Sequence, residues 1–274
     1  MNTTVERILV GVAAVLICAG GSLAADFHPI VEVQSGYLFG AISDGKWIKA
    51  DETAKSIGDE TTYRVYGLTQ MLGDAKGGKP KPADGPCEET LAVSLSPETE
   101  NGMIAIAAPW NALPRKPQVT DPTQKSYVDA ARNFLKTKGI EQPKVKIDGI
   151  LRIDLDGDGE EEVLISATNY FSKDESVPIR SPAGSYSMVL LRRVVAGKVE
   201  TQLVEGEFHP KAYVRKGDSF DAPNAYKVIA TLDLDGDGKM EVVVGSNYYE
   251  GEEITIYRCD PKKAEALLSV SCGA

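Results

Sequence analysis

Short apolar runs, rich in β-branched residues and separated by turn-forming residues, recur along most of this chain. In the N-terminal part, apolar and polar positions partly alternate within each run, which is typical of half-buried strands. The sequence predicts strands at residues 30–33, 37–42, 63–66, 91–95 and 103–107. Residues 43–46, Ser-Asp-Gly-Lys, predict a hairpin turn. The stretch 76–86, rich in Gly, Lys and Pro, predicts an exposed loop.

A second series of strands is predicted from residue 144 to the C-terminal end. It consists of two related stretches in which apolar strands flank an acidic loop. Gly149 is expected to form a bulge within its strand, and residues 196–198, Ala-Gly-Lys, predict a hairpin turn. The predicted strands are 145–155, 163–167, 186–195, 199–204, 226–232, 242–245 and 254–257.

One helix is predicted between the two series, over residues 121–139. Asp121 suits the N-cap, Pro122 suits the first helical position, and Gln124 can complete a capping box. Gly139 suits the C-terminal end. Four residues form one apolar face at helical spacing: Tyr127, Ala131, Phe134 and Leu135. We expect this helix to pack across the sheet between the N-terminal strands and the repeats.

The N-terminus has the features of a secretory signal peptide. Residues 8–19 form an apolar run after Arg7, and residues 22–25, Ser-Leu-Ala-Ala, suit cleavage. The run is short for a membrane span, and an uncleaved anchor is the alternative. The exported protein would be periplasmic or extracellular, with no membrane span after cleavage. We expect four parts: a signal peptide at 1–25, an N-terminal β region at 26–120, the helix at 121–139 and the repeat region at 144–274.

Each acidic loop places four carboxylates at the first, third, fifth and ninth positions. They are Asp154, Asp156, Asp158 and Glu162 in the first loop, and Asp233, Asp235, Asp237 and Glu241 in the second. Glycines at the fourth and sixth positions let the backbone curl, so that the carboxylates converge and the carbonyl groups of Glu160 and Lys239 point inward. Anions so close together repel one another unless a cation lies between them. A hard cation that takes about six to eight oxygen ligands in flexible geometry fits, which indicates calcium rather than magnesium.

An EF-hand does not explain these loops. It requires a bidentate glutamate at loop position twelve and helices on both sides. Position twelve is Ile165 in the first loop and Val244 in the second, and the residues after each loop are apolar and β-branched. The loops are therefore expected to join strands. The other interpretation is that they are tight acidic turns without a metal.

The pattern Leu-Asp-Leu-Asp-Gly-Asp-Gly-x-x-Glu, followed by an apolar strand, resembles the FG-GAP and VCBS repeats of integrin-like β-propeller blades and of many secreted bacterial proteins. In those repeats the acidic loop joins two strands of a blade and carries calcium. The resemblance implies a mainly β fold, propeller-like or an incomplete propeller of antiparallel blades with calcium loops, plus one packed helix. The region from Tyr127 onward also resembles secreted bacterial proteins built on such repeats. The resemblance supplies no activity.

The net charge of −10 is concentrated in the two loops. The first loop contains six acidic residues and no basic one, and the second contains four acidic residues and one lysine. Outside them the chain is nearly neutral, which argues for two local cation sites and against a nucleic-acid partner. The chain contains two histidines and none of the motifs of zinc enzymes, serine hydrolases or phosphate-binding loops, so it offers no candidate catalytic residue.

Three cysteines follow the predicted signal peptide: Cys87, Cys259 and Cys272. An oxidising compartment permits one disulfide among them, and any of the pairings is possible. We favour Cys87 with Cys272, because that bond closes a long loop and would contribute about 2–4 kcal/mol. Cys259 with Cys272 is the near alternative.

These observations give two hypotheses of different classes. The first is a secreted calcium-binding β-repeat protein in which calcium is structural and the surface binds a protein or glycan partner. The second is an envelope-associated hydrolase of glycans or phosphoesters, which requires two facing carboxylates in a pocket away from the loops. The sequence favours the binding module over an enzyme, because Ca²⁺ is a poor generator of hydroxide and no general base lies beside the loops in sequence.

Overall fold

The computed structural model describes residues 26–171, 180–213 and 223–273, so the predicted signal peptide lies outside the described residues. Within these ranges the protein is mainly β, with eighteen strands and two helices. The strands form antiparallel sheets that do not close into a barrel among the described residues. The prediction of a mainly β, incomplete propeller-like fold is confirmed.

The N-terminal part forms one large sheet and one short helix. Its elements are β1 (Phe27–Glu32), β2 (Leu38–Ser43), β3 (Lys46–Lys49), α1 (Ala50–Thr53), β4 (Thr61–Tyr66), β5 (Met71–Gly77), β6 (Lys81–Pro82), β7 (Leu91–Ala92), β8 (Leu95–Ser96) and β9 (Ile104–Ile106). Seven of the strands make a sheet in the order β3-β2-β1-β9-β4-β5-β8, and β6 pairs with β7. The predicted hairpin between β2 and β3 is confirmed: it turns at Asp44 and Gly45, which both have positive φ, as two-residue hairpins favour.

The remaining elements form two repeat sheets. They are β10 (Gln118–Thr120), α2 (Lys125–Thr137), β11 (Ile147–Ile153), β12 (Glu162–Thr168), β13 (Ser185–Val195), β14 (Lys198–His209), β15 (Ala225–Leu232), β16 (Glu241–Tyr248), β17 (Gly251–Cys259) and β18 (Ala264–Gly273). Strands β10 to β14 form the first repeat sheet and β15 to β18 form the second, each with neighbours in chain order. The predicted bulge at Gly149 is confirmed, and β15 has a corresponding irregularity between Val228 and Ala230.

The second repeat sheet lies between the first repeat sheet and the N-terminal sheet. One continuous apolar core contains buried residues from all three, such as Phe39, Leu164 and Ile256. Backbone N–H groups of β15 also donate to side chains of the first repeat sheet: Val228 N–H to the Ser166 hydroxyl at 3.1 Å, and Tyr226 N–H to the Ser187 hydroxyl at 2.8 Å. The two repeat sheets are therefore joined by polar as well as apolar contacts.

Helix α2 packs on the other face of the first repeat sheet. Its buried residues Ala131 and Leu135 belong to a separate core cluster with Ile165 and Tyr186, and that cluster contains no residue of the N-terminal sheet. The expectation that the helix lies between the N-terminal strands and the repeats was therefore wrong. Neither helix in the described part of the chain is long and apolar enough to cross a bilayer.

The predicted start of this helix was also wrong. The helix begins at Lys125, and Gln124 at its N-cap position has an extended backbone with ψ 122°. Asp121 instead accepts hydrogen bonds from the backbone and the hydroxyl of Thr123, both at 2.8 Å. This local turn satisfies the aspartate before the first helical turn, so the capping box does not form.

Several strands in the structure were not predicted from the sequence, among them β5 and β10. The stretch 76–86 is not one loop, because its first residues end β5 and Lys81 pairs with Ala92 in the β6–β7 ladder. Strand β18 was missed entirely, since its mixture of Ala, Ser and Leu shows little alternation. It pairs along its whole length with β17.

A disulfide joins Cys87 to Cys272, with Cα atoms 5.3 Å apart, and Cys259 is a free thiol. The bond connects the N-terminal part to the end of β18. Next to it the Thr90 hydroxyl donates to the carbonyl of Ser271 at 2.8 Å. The last strand is thus attached to the N-terminal part by a covalent bond and a hydrogen bond.

Candidate metal centres

The two acidic loops occupy equivalent positions in the two repeat sheets. The first joins β11 to β12, and the second joins β15 to β16. The residues that flank each loop pair directly, Ile153 with Glu162 and Leu232 with Glu241. Each loop therefore closes one end of a hairpin, and the conformation of that end depends on hydrogen bonds within the loop.

Asp154 organises the first loop. Its carboxylate accepts hydrogen bonds from the backbone N–H groups of Gly157 at 2.7 Å and Gly159 at 3.2 Å. Both glycines have positive φ, 80° and 91°, a conformation that a side chain disfavours. The carboxylate of Asp158 accepts a hydrogen bond from the N–H of Glu160 at 2.8 Å. The glycines therefore permit the tight curl that the sequence predicts.

The second loop repeats this arrangement. Asp233 accepts a hydrogen bond from the N–H of Gly238 at 3.2 Å, and Asp237 accepts one from the N–H of Lys239 at 2.7 Å. Gly236 and Gly238 have positive φ, 75° and 87°. The same residue types at the same spacing thus produce the same turn in both copies.

The glutamate at the ninth position of each loop is buried and closes the loop from the following strand. Glu162 accepts a hydrogen bond from the N–H of Leu155 at 2.8 Å, and Glu241 accepts one from the N–H of Leu234 at 2.9 Å. The two glutamates are only 4% and 1% exposed. Each carboxylate therefore reaches across its own loop and binds the backbone of that loop's second residue.

Three carboxylates in each loop place one oxygen atom each within 4.8 Å of the others. These are Asp154, Asp156 and Glu162 in the first loop, and Asp233, Asp235 and Asp237 in the second. Asp158 and Glu241 belong to the same loops but lie outside these closest groups. Because Ca–O distances are about 2.3–2.6 Å, oxygen atoms at such separations can share one calcium ion.

Burial and mutual repulsion raise the pKa of carboxyl groups in these loops. The pKa of Glu241 is raised to about 8, because burial penalises its charge and Asp235 and Asp237 repel it. Burial is also the main cause that raises the pKa of Glu162 and of Asp233. The ionised loops are therefore electrostatically unfavourable by themselves, and a bound cation would relieve this.

In the second loop, one buried carboxylate oxygen lacks a hydrogen-bond donor among the described residues. Asp233 Oδ1 is buried and accepts no hydrogen bond of normal geometry from the described residues, although the N–H groups of Gly236 and Gly238 favour the ionised carboxylate. Buried polar atoms are usually hydrogen-bonded, and buried charges are usually paired or bound to a metal. The donor set and this oxygen atom fit a hard cation.

Arg258 introduces a difference between the two loops. Its guanidinium donates a hydrogen bond to Asp235 Oδ2 at 2.8 Å. The other oxygen of this carboxylate, Oδ1, accepts a hydrogen bond from the N–H of Asp237 at 3.2 Å. The third-position carboxylate of the second loop is therefore oriented by an arginine from β17.

Arg115 connects the two loops to each other. Its Nε donates to the carbonyl of Asp154 at 2.6 Å, and its Nη2 donates to the carbonyls of Leu155 at 3.1 Å and Gly238 at 2.7 Å. The N–H of Met240 also donates to the Leu155 carbonyl at 2.8 Å. The two loops are thus neighbours at the same end of the stacked sheets, and one guanidinium holds both.

Trp110 lies against the second loop. Its indole N–H donates to the carbonyl of Asp233 at 2.9 Å, and its ring covers Gly236, where an added Cβ would lie 3.1 Å from the ring. Sequence reasoning missed Trp110 and Arg115. The only signal in the sequence is the high content of apolar residues in the stretch 109–115, which is unusual for a linker.

Replacing Arg115 by alanine is expected to lower the free energy of unfolding by about 2–3 kcal/mol, because charge-assisted hydrogen bonds to three carbonyl groups are lost. The change should also weaken stabilisation by calcium at both loops, which equilibrium denaturation with and without calcium measures. Arg152→Ala is the matched control: Arg152 pairs with Glu161 at 2.5 Å near the surface, and its loss should cost at most about 1 kcal/mol. Equal effects of the two changes would contradict a connecting role for Arg115.

The fold and the loops define a β-repeat protein with one acidic loop in each of two consecutive repeats. Residues 226–257 match the family model of the FG-GAP repeat. This match begins in β15, includes the whole second loop and ends in β17, so the chain contains an FG-GAP-type repeat and the resemblance to the FG-GAP repeat is confirmed. No curated protein and no solved structure matches the chain.

Proposed function

We propose that this protein is an exported, calcium-binding β-repeat protein that acts as a binding module for a protein or glycan partner. Each acidic loop holds one structural calcium ion. The predicted signal peptide at residues 1–25 directs export to the periplasm or the extracellular space. The observation that carries the proposal is the convergence of three carboxylate oxygens within 4.8 Å in each of two loops, one of them inside an FG-GAP-type repeat.

The proposed ligands are the loop carboxylates and one carbonyl group in each loop. They are Asp154, Asp156, Asp158, Glu162 and the carbonyl of Glu160 for the first ion, and Asp233, Asp235, Asp237, Glu241 and the carbonyl of Lys239 for the second. When bound, calcium supplies the positive charge that offsets repulsion among the carboxylates. Calcium sites of extracellular modules often have dissociation constants of about 10⁻⁴–10⁻³ M, which suits a calcium-rich exterior.

A binding role rather than catalysis is supported by how the loop carboxylates are used. Asp154, Asp158 and Glu162 accept hydrogen bonds from backbone N–H groups of their own loop, as structural ligands do. The second loop has the corresponding bonds. These loop carboxylates would hold the ends of the β11–β12 and β15–β16 hairpins in place and make the surrounding surface rigid.

Calcium is expected to raise the melting temperature by several degrees, since a ligand at a hundred times its dissociation constant adds roughly 3 kcal/mol per site. Replacing Asp156 and Asp235 together by asparagine removes the third-position carboxylate of each loop and should abolish this shift. Thermal unfolding followed by circular dichroism, with calcium, magnesium or a chelator, measures it. Glu200→Gln, an exposed change on β14, should keep the full calcium response.

A melting temperature that is the same in calcium and in chelator would favour tight acidic turns over calcium sites. A shift that persists in the Asp156→Asn/Asp235→Asn protein would place the calcium elsewhere. The binding role is tested separately, by screening glycans and envelope proteins for binding that requires calcium. Failure of both classes to bind would contradict the binding module without affecting the calcium sites.

A further inference from the structure

A polar cavity of about 270 Å³ lies between strand β14 and one face of the second repeat sheet, and none of its walls belongs to an acidic loop. Its polar lining consists of Glu205 from β14 and of Tyr226, Ser246, Glu253, Thr255, Tyr257 and Ser269 from the second repeat sheet. Ser246 pairs with Tyr226 on one side and with Glu253 on the other. Because residues two apart in a strand share a face, these side chains form one continuous polar patch.

Ser246 supplies a polar group without a partner in this cavity. The residue is 4% exposed, and its hydroxyl oxygen is buried with no hydrogen-bond partner within the described ranges. Thr255, on the same face, is also buried. A buried hydroxyl that makes no hydrogen bond is destabilising. A ligand in the cavity with a polar group near Ser246 would remove this defect.

Two carboxylates give the cavity a negative charge. Glu205 accepts hydrogen bonds from the N–H of Gly206 at 2.8 Å and from the hydroxyl of Tyr257 at 2.6 Å. Neither Glu205 nor Glu253 forms a salt bridge in the part of the chain that the structure describes. The pKa of Tyr226 is raised mainly by burial. The negative charges of nearby glutamates, which include Glu205 and Glu253, raise it further. The cavity therefore favours a cationic ligand.

The size and lining of the cavity favour an organic cation over a metal ion. A volume of about 270 Å³ is several times the roughly 30 Å³ that one water molecule occupies in the liquid, so a single ion would not fill it. The rings of Tyr226 and Tyr257 form part of the wall, and aromatic rings attract organic cations. A neutral sugar would satisfy the hydroxyl groups but would leave two carboxylates without a counter-charge.

We propose that this cavity binds a small primary ammonium ion, the head group of an alkylamine or diamine, between Glu205 and Glu253. Its three N–H donors match the two carboxylates and the Ser246 hydroxyl. Its alkyl chain packs on the two tyrosine rings. This site goes beyond the proposed calcium function and is independent of it, because it uses no loop residue.

Isothermal titration calorimetry of the purified protein in saturating calcium tests the site with two probes, butylamine and 1,4-diaminobutane. The uncharged 1,4-butanediol has a similar length and is the control ligand. Both amines should bind and the diol should not. Because calcium is saturating throughout, a failure of amine binding is separable from a failure of the calcium sites, which the thermal shift reports.

Three substitutions locate the binding. Glu253→Gln and Glu205→Gln should each weaken amine binding about tenfold, since each removes a charge from the acceptor set. Ser246→Ala should weaken it several-fold while leaving the melting temperature without amine unchanged or raised, because the hydroxyl has no partner to lose. Glu265→Gln changes a β18 acid outside the cavity lining and should bind amine like the unchanged protein.

Each contrary result overturns the proposal in a recognisable way. Equal binding of the diol would indicate a polyol site. Amine binding that survives both glutamine substitutions would place the amine elsewhere on the acidic surface. If neither amine gives a heat of binding, while calcium still raises the melting temperature of the protein, the cavity does not bind ammonium ions.

Discussion

Replacing Glu241 by glutamine is expected to stabilise the calcium-free protein at pH 8 by up to about 5 kcal/mol, although it removes a proposed calcium ligand. The pKa of Glu241 is raised from 4.5 to about 8, first by burial and then by repulsion from Asp235 and Asp237. A shift of this size corresponds to roughly 1.4 kcal/mol for each pH unit between the two values. Glutamine keeps an oxygen for the Leu234 N–H and carries no charge.

The direction of the pH effect on stability depends on whether the folded or the unfolded state binds the Glu241 proton more tightly. Below pH 4.5 the Glu241 carboxyl group is protonated in both the folded and the unfolded state. Its ionisation then costs the folded protein no stability. Between pH 4.5 and 8 the unfolded state loses the proton first, and the stability of the calcium-free protein falls as pH rises. Above pH 8 both states are ionised and the loss is complete. Calcium should reverse the loss, since it binds the ionised carboxylate.

Urea denaturation in chelator from pH 5 to 8 measures this effect. The fall in unfolding free energy should be steeper for the unchanged protein than for Glu241→Gln, and the difference should grow with pH. Part of the slope should remain, because the pKa of Glu162 and of Asp233 is also raised. Glu265→Gln, at an exposed acid on β18, is the control. Parallel pH profiles for all three proteins would refute the assignment to Glu241.

Loss of the Cys87–Cys272 disulfide is expected to lower the free energy of unfolding by about 2–4 kcal/mol. The two cysteines are 185 residues apart in sequence, so the bond greatly restricts the unfolded chain. In the folded protein it holds the end of β18 to the N-terminal part. Since a cross-link over such a long loop removes more conformational entropy than one over a short loop, the effect should be among the largest available from two substitutions.

The measurement compares guanidinium denaturation of Cys87→Ala/Cys272→Ala with that of the unchanged protein, before and after reduction. Reduction should destabilise the unchanged protein by the same amount and leave the double variant unaffected. Cys259→Ala is the control for cysteine removal. Burial of the Cys259 thiol raises its pKa to about 12, so it should not exchange with the disulfide at neutral pH. A double variant as stable as the unchanged protein would show that the cross-link contributes little.

Most strands of the repeat sheets could be predicted because their signals are local. The predicted hairpin at 196–198 lies between β13 and β14, where Ala196 and Gly197 both have positive φ. The bulge at Gly149 was also visible, because glycine within an apolar strand weakens its regular pairing. By contrast, β18 contains few β-branched residues, and its existence depends on β17 as a partner.

The position of the helix shows the limit of local reasoning in another way. Its apolar face was predicted correctly, since Ala131 and Leu135 are buried. The surface that it covers was not, because every exposed apolar sheet face is a possible partner for such a helix. Asp121 also had two compatible roles, N-cap or local turn, and the contacts of the assembled chain decide between them.

The sequence by itself determined the acidic turns, the mainly β architecture and the family resemblance. Each of these depends on residues within about ten positions of one another, so spacing and residue type suffice. Tertiary structure alone decided that the two loops lie side by side. Arg115 holds them together by hydrogen bonds to Asp154 and Gly238, which are 39 and 123 residues away in sequence. It also decided the stacking of the three sheets, the cysteine pair and the cavity at Ser246. These contacts join distant residues, and their geometry follows from the sum of many weak packing interactions that no short stretch of sequence specifies.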